Sequence, residues 1–402
     1  MNIFDKCSSF TRPLEAMAAD LYPYFRSISE NLSPEVLIEG RRVVMAGSND
    51  YLGLSHDPRV KEAASQALQR FGTSCTGSRL LNGTIDLHLE LERRLSSFLR
   101  RDAALVFSTG FQTNMGTLAA LAGKDDAIFS DRENHASIMD GCRLSFAKIF
   151  KFKHQDMGDL VRMLEEAGPD RGKLIVVDGV FSLRGDIVDL PRIVEIASLY
   201  GAAIMIDDAH SIGVLGPHGR GTGEHFGLEG KVDLVMGTFS KSLASLGGFI
   251  AGKEEVIRYV KHFARPFLFS AAIPPSAAAS ALAALDVIER EPERRDRLWE
   301  HARKMKSGLE SLGFDTCGSQ TPIVSVRVGS DGDTLMFWKM LFDGGVFTNP
   351  IIPPAVPEGQ SLIRTSYMAS HTDAHLDRIL EIFQRAGRQA GIVNREHRTA
   401  AS

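Results

Sequence analysis

Cysteine is scarce in this sequence, and the few cysteines are scattered. Only four of the 402 residues are cysteines, and they form no CxxC motif or other paired spacing: Cys7, Cys75, Cys142 and Cys317. That distribution argues against a disulfide framework and against a zinc site, so we expect no bound metal. Unpaired thiols suit a reducing compartment, and the sequence therefore predicts a cytoplasmic protein.

Export signals and long apolar runs are also missing. The first fifteen residues hold no basic segment followed by an apolar core, so we expect no signal peptide. The most apolar stretch, AAIPPSAAASALAALDVI (271–288), contains a Pro-Pro pair and is mostly alanine. It predicts a loop that leads into a buried helix, and we expect no transmembrane segment.

Neither sign of charge is in clear excess. The 46 basic and 50 acidic residues give a net charge of −4. This balance provides no electrostatic attraction to nucleic acid or to an anionic membrane, so neither is expected as a partner. The most basic short run, KIFKFKH (148–154), alternates apolar and charged residues, which predicts a strand with one solvated face.

Helical periods and short apolar runs alternate from about residue 58. Helices are predicted at 58–72 and 84–100, and strands are predicted in four runs that end in glycine or polar residues: ALVFSTG (104–110), KLIVVDG (173–179), AAIMIDD (202–208) and VDLVMGT (232–238). This alternation predicts a mostly parallel, doubly wound α/β sheet. Ligands bind such sheets at the carboxyl ends of the strands, where these polar residues lie.

The length of the chain points to more than one core. A chain of 402 residues predicts two lobes. From about residue 290 charged helices, a proline-rich loop and short apolar runs predict a smaller α+β domain. The predicted organisation is an N-terminal segment at 1–57, a large domain at 58–289, a small domain at 290–392 and a disordered tail at 393–402.

Several polar residues follow the predicted strands, and each has a structural explanation when taken alone. Asp207 ends the run AIMID, and an acid there can cap a helix; His210 lies three residues further on. Asp178 and Ser182 follow another strand, where a serine commonly belongs to a turn. An isolated histidine such as His135 is more often structural than functional.

Two further segments can bind an anion and present an amine. The FSTGF turn (107–111) leads from a strand into a helix, and backbone N–H groups at such a turn can bind phosphate. The segment GTFSKSLASLGG (237–248) is rich in Ser, Thr and Gly and carries one lysine, Lys241. A Schiff-base lysine, an acid for a pyridine nitrogen and donors for a phosphate are what pyridoxal phosphate requires. The order of these features therefore predicts a pyridoxal phosphate enzyme.

These segments resemble the α-oxoamine synthases, which are fold type I pyridoxal phosphate enzymes with an aspartate aminotransferase-like fold. The resemblance runs from about residue 48 to residue 372 and is strongest toward the bacterial serine palmitoyltransferases. Its motifs are SNDYLGLS (48–55), TGSRLLNGT (76–84), VFSTGF (106–111), HASIMDGC (135–142), DDAHSIGVLGPHGRG (207–221), GTFSKS (237–242), PPAVP (353–357) and SYMASHT (366–372).

The resemblance implies a reaction and its partners. An amino acid would condense with an acyl thioester, delivered by coenzyme A or by an acyl carrier protein, with loss of CO2 and release of a thiol. The family also implies a homodimer with active sites at the interface, so a second copy of the chain is an expected partner.

The resemblance further assigns roles to single residues. Lys241 would bind the cofactor covalently and act as the base, Asp207 would pair with the pyridine nitrogen, and His135 would stack on the ring. His210 and Ser182 would lie near the phenolic oxygen. The phosphate would be held by Gly110, Phe111, Thr238, Ser240 and, across the dimer, Ser270.

The resemblance also assigns substrate-binding residues, and the sequence departs from the family pattern in this respect. Arg364 in SLIRTSY matches the arginine that binds the amino-acid carboxylate, with a surface salt bridge as its alternative. Asn49, expected to bind substrate, lies in a segment more similar to the oxononanoate synthases. Ile352 stands where many serine palmitoyltransferases carry an arginine before their PPATP motif. Asp208 replaces the glutamate of the usual DEAH.

These departures leave the amino acid open among serine, alanine and glycine. L-serine with a long-chain acyl-CoA is the first choice, and an oxononanoate synthase, an aminoketobutyrate CoA ligase-type relative or a specialised-metabolite enzyme with an acyl carrier protein donor are the alternatives. Aminotransferases and aldolases share the fold. A non-catalytic partner subunit would lack the lysine that is present here as Lys241.

Overall fold

The computed structural model describes residues 2–393, which form two compact units. The small unit contains the described residues up to Ser48 and those from Glu300 onward, and the large unit runs from Asn49 to Trp299. The domain boundaries predicted after residues 57 and 289 stay predictions. Residues 394–402 of the predicted tail lie outside the described residues.

The chain begins with elements that the sequence did not predict. Two short helices lead into a three-stranded antiparallel meander: α1 (Asp5–Ser8), α2 (Arg12–Ala18), β1 (Ile28–Asn31), β2 (Glu35–Ile38) and β3 (Arg41–Met45). Along β3 the two arginines are exposed and the three apolar residues are buried.

Helices and strands alternate through the large unit, as predicted. They are α3 (Pro58–Phe71), α4 (Asp86–Phe98), β4 (Ala103–Phe107), α5 (Gly110–Leu121), β5 (Asp126–Asp131), α6 (Ala136–Leu144), β6 (Lys148–Phe152), α7 (Met157–Ala167), β7 (Gly172–Asp178), α8 (Leu190–Tyr200), β8 (Ala203–Asp207), α9 (Thr222–His225), β9 (Leu234–Thr238), β10 (Gly248–Gly252), α10 (Glu254–Phe263), α11 (Arg265–Leu268) and α12 (Pro275–Arg290).

A seven-stranded sheet with the order β4-β10-β9-β8-β7-β5-β6 forms the centre of the large unit. The pairs β9-β8, β8-β7, β7-β5 and β5-β6 are parallel, and β10 alone runs antiparallel to its neighbours β9 and β4. The predicted mostly parallel sheet is therefore confirmed. Its central strands are nearly all apolar and buried, because helices cover both faces of such sheets.

Helix capping explains where several helices of this unit begin and end. The side chains of Asp57, Asp156 and Asp189 each accept a hydrogen bond from a backbone N–H of the helix that follows. Proline occupies the first turn of α3 and α8. Gly201 ends α8 with a φ of 63°, a left-handed conformation that favours glycine.

Two finer predictions also hold. The run KIFKFKH forms β6, in which Phe150 and Phe152 are buried and the lysines are exposed. The alanine-rich segment becomes α12, which buries a stripe of small residues that includes Ala278, Ala281 and Ala284. Between residues 2 and 393 no helix is long and apolar enough to cross a membrane.

The remaining elements complete the small unit, and α13 begins in the large unit. They are α13 (Pro292–Ser311), β11 (Ile323–Gly329), α14 (Asp331–Gly344), β12 (Val346–Phe347), β13 (Asn349–Ile351), β14 (Ser361–Ser366) and α15 (Asp373–Gln389). Strands β11, β14 and β13 form an antiparallel sheet, and β12 joins β3 in parallel. Buried aromatic rings from α14 and α15 fill its core, among them Phe337, Trp338, Phe342 and Phe383. The predicted smaller α+β domain is thereby confirmed.

Candidate active site

A cavity of about 270 Å³ lies in the large unit at the carboxyl ends of β7, β8 and β9 and at the start of α5. Its volume is near the lower end of the range for small-ligand pockets, roughly 300 Å³. Its lining includes most of the predicted site residues: Gly110, Phe111, His135, Ser182, Asp207, His210, Thr238, Ser240 and Lys241.

The loop between β9 and β10 presents Lys241 to this cavity. The loop is folded tightly, because Phe239 N donates to Gly247 O at 3.0 Å and Ala244 N donates to Lys241 O at 2.9 Å. Ala244 has a φ of 49°, which is uncommon for a residue other than glycine. The lysine is thus carried by a constrained turn and not by a loose surface loop.

Hydroxyl groups and a helix start form one end of the cavity. Thr238 Oγ1 lies 2.9 Å from Ser240 Oγ and donates to Gly247 O at 3.0 Å. Opposite them α5 begins at Gly110, after Thr109 accepts a hydrogen bond from Gln112 N. The first N–H groups of a helix have no partner within the helix and carry partial positive charge. This end of the cavity therefore suits an anion.

Asp207 ends β8 and is 5% exposed. Its Oδ2 accepts from Asn114 Nδ2 at 2.7 Å, and its Oδ1 accepts from Ala209 N at 3.0 Å. These two hydrogen bonds fix the orientation of the carboxylate. A buried carboxylate at this position can pair with a cationic group of a ligand.

His135 is connected to Asp207 through a relay of hydrogen bonds. Asn114 Nδ2 also donates to Ser137 Oγ at 2.8 Å, and Ser137 Oγ lies 2.7 Å from His135 Nδ1. Since Ser137 N donates to the same nitrogen, Nδ1 acts as an acceptor and the ring proton lies on Nε2. Burial lowers the pKa of His135. The positive charge of Lys241 lowers it further, whereas the negative charge of Asp207 raises it in part. The ring is therefore neutral near pH 7.

A second carboxylate, Asp178, also lines the cavity. Its Oδ2 accepts from His135 N at 3.0 Å, while Oδ1 is buried and has no hydrogen-bond partner among residues 2–393. Burial, together with the nearby charge of Asp207, raises the pKa of Asp178 well above its usual range. Two acids in different surroundings therefore lie at one site: both oxygens of Asp207 accept hydrogen bonds, whereas Asp178 is pushed toward its neutral form.

Tyr51 and His210 contact one another at the cavity. Tyr51 is 1% exposed, and its Oη lies 2.7 Å from His210 Nδ1. Asn49 does not line the cavity, but its Oδ1 lies 3.5 Å from the same Tyr51 hydroxyl. Asn49 is thereby linked to His210 through Tyr51, and its predicted substrate contact stays a prediction.

Two other predicted residues lie outside the lining. Ser270 follows α11 and accepts a hydrogen bond from Gln112 Nε2 at 3.2 Å, so it adjoins the first turn of α5. Its predicted contact across a dimer stays a prediction. Arg364 lies on β14 of the small unit and is 6% exposed. Its predicted contact with a substrate carboxylate also stays a prediction.

Asp208, the departure from the usual DEAH, does not line the cavity. It is 1% exposed, and Thr222 donates to it through both Oγ1, at 2.5 Å, and the backbone N, at 3.0 Å. Burial raises the pKa of Asp208 to about 6, although the hydrogen bonds from Thr222 and Ser211 oppose that rise. Asp208 therefore fixes the loop behind Asp207, and it takes no direct part in the lining.

Asn114, Ser137 and Tyr51 were not predicted as site residues. Asn114 lies in the middle of α5 in the apolar-looking run TNMGTLAAL, and it is fully buried. A buried amide inside a helix needs partners, and this was the one signal in the sequence that could have pointed to it. Nothing in the sequence marks Ser137 or Tyr51 beyond their places in motifs.

The residues present fit pyridoxal phosphate. A side chain at position 110 would meet Thr238, because an added Cβ would lie 2.8 Å from its Oγ1, so glycine keeps the anion-binding end open. The donor set supplies hydroxyl and helix N–H groups for a phosphate and a lysine for covalent attachment. Asp207 supplies a buried carboxylate for a protonated ring nitrogen.

Comparison with known proteins places this site in a family context. A family model described as "Aminotransferase class I and II" matches residues 41–383. A serine palmitoyltransferase of Sphingobacterium spiritivorum is 50% identical over 388 residues, which cover 96% of this chain and 97% of the relative. An 8-amino-7-oxononanoate synthase of Symbiobacterium thermophilum is 46% identical over 376 residues, 93% of this chain and 96% of the relative.

Solved structures agree with these relatives. A serine palmitoyltransferase of S. paucimobilis, solved with PLP and myriocin bound, superposes with a TM-score of 0.95 at 37% identity, covering 98% of this chain and 100% of that one. The predicted fold type I architecture is confirmed by this match. The prediction of pyridoxal phosphate as the cofactor is confirmed as well.

Proposed function

The chain belongs to the class I and II aminotransferase family and, within it, to the pyridoxal phosphate-dependent α-oxoamine synthases, and on that premise we propose that it condenses L-serine with a long-chain acyl-CoA. The reaction would take up one proton and give an α-aminoketone, CO2 and free coenzyme A. The observation that carries the choice of serine is the 50% identity to a serine palmitoyltransferase along nearly the full length of both chains.

When bound, pyridoxal phosphate supplies an electron sink that stabilises negative charge at the amino-acid Cα. The chain supports that chemistry through Asp207, whose charge would favour the protonated ring nitrogen. Asn114 and the backbone N of Ala209 hold the carboxylate in place. Asp207 therefore acts through charge and not through proton transfer.

Lys241 has two roles in the proposal. Its amine holds the cofactor, and once the amino acid has displaced it, the free amine removes the Cα proton as the general base. The constrained turn of its loop restricts where the amine can reach. The same amine is the natural donor when Cα is reprotonated after CO2 is lost.

His135 contributes a neutral ring of fixed orientation. The relay from Asn114 through Ser137 makes Nδ1 an acceptor and leaves an N–H on Nε2. In the proposal the ring packs on the cofactor, and its Nε2–H helps to orient the substrate. Arg364 is proposed separately to bind the substrate carboxylate, for which a planar guanidinium offers two hydrogen bonds.

Other substrates compete with L-serine and a long-chain acyl-CoA in this proposal. The 46% identity to an oxononanoate synthase, Asn49 in SNDYLGLS and Ile352 in place of an arginine favour alanine as the second candidate. An aminoketobutyrate ligase-type enzyme would use glycine. An acyl carrier protein in place of coenzyme A is a further option within the same chemistry.

A homodimer is part of the proposal. The segments at 77–81 and 269–272 lie side by side, since Ser78 pairs with Ala271 and Ala272 N donates to Gly77 O. They expose large apolar side chains, with Leu81 79% exposed and Phe269 72% exposed. An apolar surface beside Ser270 suits an interface that brings Ser270 to a second copy. The free thiols of all four cysteines support a cytoplasmic location.

A thiol-release screen tests the proposed substrates. Serine, alanine and glycine are each combined with short- and long-chain acyl-CoAs and with an acylated carrier protein, and free thiol and CO2 are measured. We expect the highest kcat/KM with serine and a long-chain acyl-CoA. A preference for alanine with a carboxylated acyl donor would favour the oxononanoate assignment, and absence of thiol release with every donor would overturn the α-oxoamine reaction itself. Light scattering of the same preparation tests the dimer.

A further inference from the structure

His154 follows β6 and has a carboxylate on each side of its ring. Nδ1 lies 3.1 Å from Asp131 Oδ1, and Nε2 lies 2.8 Å from Asp186 Oδ2. The side chain is 17% exposed, and the ring packs edge-on against Phe181 with centroids 4.4 Å apart. Ionised carboxylates only accept hydrogen bonds, so both ring nitrogens donate and the imidazole is a cation.

The charges around His154 reinforce this state. Burial alone would lower the pKa of His154, but the hydrogen bonds to Asp131 and Asp186 and the charges of Asp131 and Glu133 outweigh it and raise the pKa to about 10. Glu133 Oε2 lies 3.9 Å from Nε2, and Arg184 pairs with Glu133 at 2.6 Å. His154 therefore lies within 4 Å of three carboxylates, those of Asp131, Glu133 and Asp186.

The two carboxylates belong to different loops. Asp131 ends β5 and accepts from Glu133 N at 2.8 Å, which shapes the turn that leads to His135; we call 131–135 the His135 loop. Asp186 belongs to the loop after β7, which we call the Ser182 loop (180–187). Phe181 N donates to Asp186 O at 3.0 Å and so closes that loop.

A second pair joins the same two loops. Arg184 of the Ser182 loop and Glu133 of the His135 loop form an ion pair, and both side chains are 31% exposed. Gln155, next to His154, donates to Asp186 Oδ2 at 3.0 Å and to Ile187 O at 3.2 Å. His154 contacts an acid from each loop directly, and its side chain is more buried than those of Arg184 and Glu133.

We propose that His154 is a positioning residue that cross-links the His135 loop and the Ser182 loop and thereby holds His135 and Ser182 in the geometry that pyridoxal phosphate requires. His154 does not itself line the cavity. The inference rests on the cofactor-binding roles of His135 and Ser182 in the proposed function, and it is independent of which amino acid or acyl donor reacts.

The test is the affinity for pyridoxal phosphate, measured by titration of the stripped protein. Glutamine at position 154 is neutral and would remove the cation that lies between Asp131 and Asp186. We expect His154→Gln to weaken cofactor binding roughly ten- to a hundred-fold, the range found when residues that support a ligand-binding group are replaced. Unchanged affinity in this variant would overturn the proposal.

A double variant separates positioning from general damage. In H154Q the carboxylate of Asp186 has lost its cationic partner, and adding Asp186→Asn removes that unpaired charge. If His154 acts through Asp186, the double variant should therefore bind pyridoxal phosphate as tightly as H154Q or more tightly. If the double variant loses as much binding free energy as the two single variants added together, the proposed link between His154 and Asp186 is contradicted. Asp186→Asn alone, which we also expect to weaken binding, provides the test if H154Q does not fold.

The control is His375→Ala in the small unit, which removes the side chain that completes the capping box of α15. It should lower stability and leave the cofactor affinity unchanged. An equal loss of affinity in this control would show that H154Q reports stability alone, which would overturn the positioning role. A wild-type protein that binds no pyridoxal phosphate would instead refute the site roles on which the inference rests.

Discussion

Asn114 Nδ2 lies 2.7 Å from Asp207 Oδ2 and 2.8 Å from Ser137 Oγ, so one amide group serves both the strand-end acid and the relay to His135. Both of its N–H bonds are used, and its position in the middle of α5 makes it rigid. The orientation of the Asp207 carboxylate and the tautomer of His135 therefore depend on the same side chain.

Replacing Asn114 should disturb both residues. Asn114→Ala removes a donor from the buried carboxylate, a hydrogen bond to a charged group worth about 1.5–3 kcal/mol. We expect pyridoxal phosphate to bind roughly 10- to 150-fold more weakly, measured by titration of the stripped protein. Gln66→Ala, which removes an exposed helix amide of the same unit, is the control. Equal affinities for the two variants would refute the role of Asn114.

Lys241 is the residue on which the chemistry depends. Lys241→Ala should lose the visible absorbance of the bound cofactor and lower kcat by at least about 10²–10⁴-fold, the usual contribution of a general base. Lys124→Ala, at an exposed turn, should change neither property. A variant without Lys241 that keeps the absorbance band would disprove the assignment.

The phosphate end of the cavity can be tested by adding one methyl group. In Gly110→Ala the new Cβ would lie 2.8 Å from Thr238 Oγ1 and 3.0 Å from Thr238 Cβ, so the cradle must shift. Overpacking of this kind costs about 1–3 kcal/mol, and we expect cofactor affinity to fall by roughly 5- to 150-fold. Gly230→Ala is a matched control, since its Cβ would meet nothing within 4 Å. If both variants bind the cofactor equally, the cradle lies elsewhere.

The sequence predicted those parts of the site that follow apolar runs. Asp207 is the last residue of β8 and Lys241 lies shortly after the end of β9, and parallel strands bring their carboxyl ends to one edge of the sheet. Asn114 was missed because its role depends on contacts with Asp207 and Ser137, which the fold alone brings together. Local patterns in α5 carry no trace of those partners.

The fold shows the same division. The parallel strands could be predicted because each is a continuous apolar run between helices. Strand β10 was missed: its sequence, GFIAG, is short and contains two glycines, and it pairs antiparallel with β4, far away in the chain. The meander β1–β3 was missed for a related reason, since β3 completes its sheet only by pairing with β12.

Stability should depend on pH through His154. Its pKa in the folded protein, about 10, lies above the ordinary value near 6.5. A raised pKa means that its contribution to the free energy of unfolding is complete below about pH 6.5 and is lost as the pH rises toward 10. Denaturant unfolding of stripped protein should therefore show a difference between wild type and H154Q that shrinks from pH 6 to pH 10.

An exposed histidine provides the comparison for this pH dependence. His262 bonds only to the backbone oxygen of Arg258 among the described residues, so His262→Gln should differ little from wild type at any of these pH values. A difference between wild type and H154Q that stays constant or grows with pH would contradict the cationic state of His154.

Ile352 offers a test of the amino-acid preference. If the missing arginine weakens the hold on the serine carboxylate, Ile352→Arg should lower the KM for serine by roughly 5- to 150-fold, corresponding to the 1–3 kcal/mol of a charge-assisted pair, and leave kcat nearly unchanged. A KM effect alone is expected because the carboxylate contact is made in the ground state and kept until CO2 leaves. Ile352→Lys is the matched control, since its single ammonium cannot bind both oxygens in a fixed fork and should give a smaller effect. If Ile352→Arg lowers the KM for alanine as much as the KM for serine, the residue at position 352 contacts only the carboxylate. Other residues of the site then determine which amino acid is used.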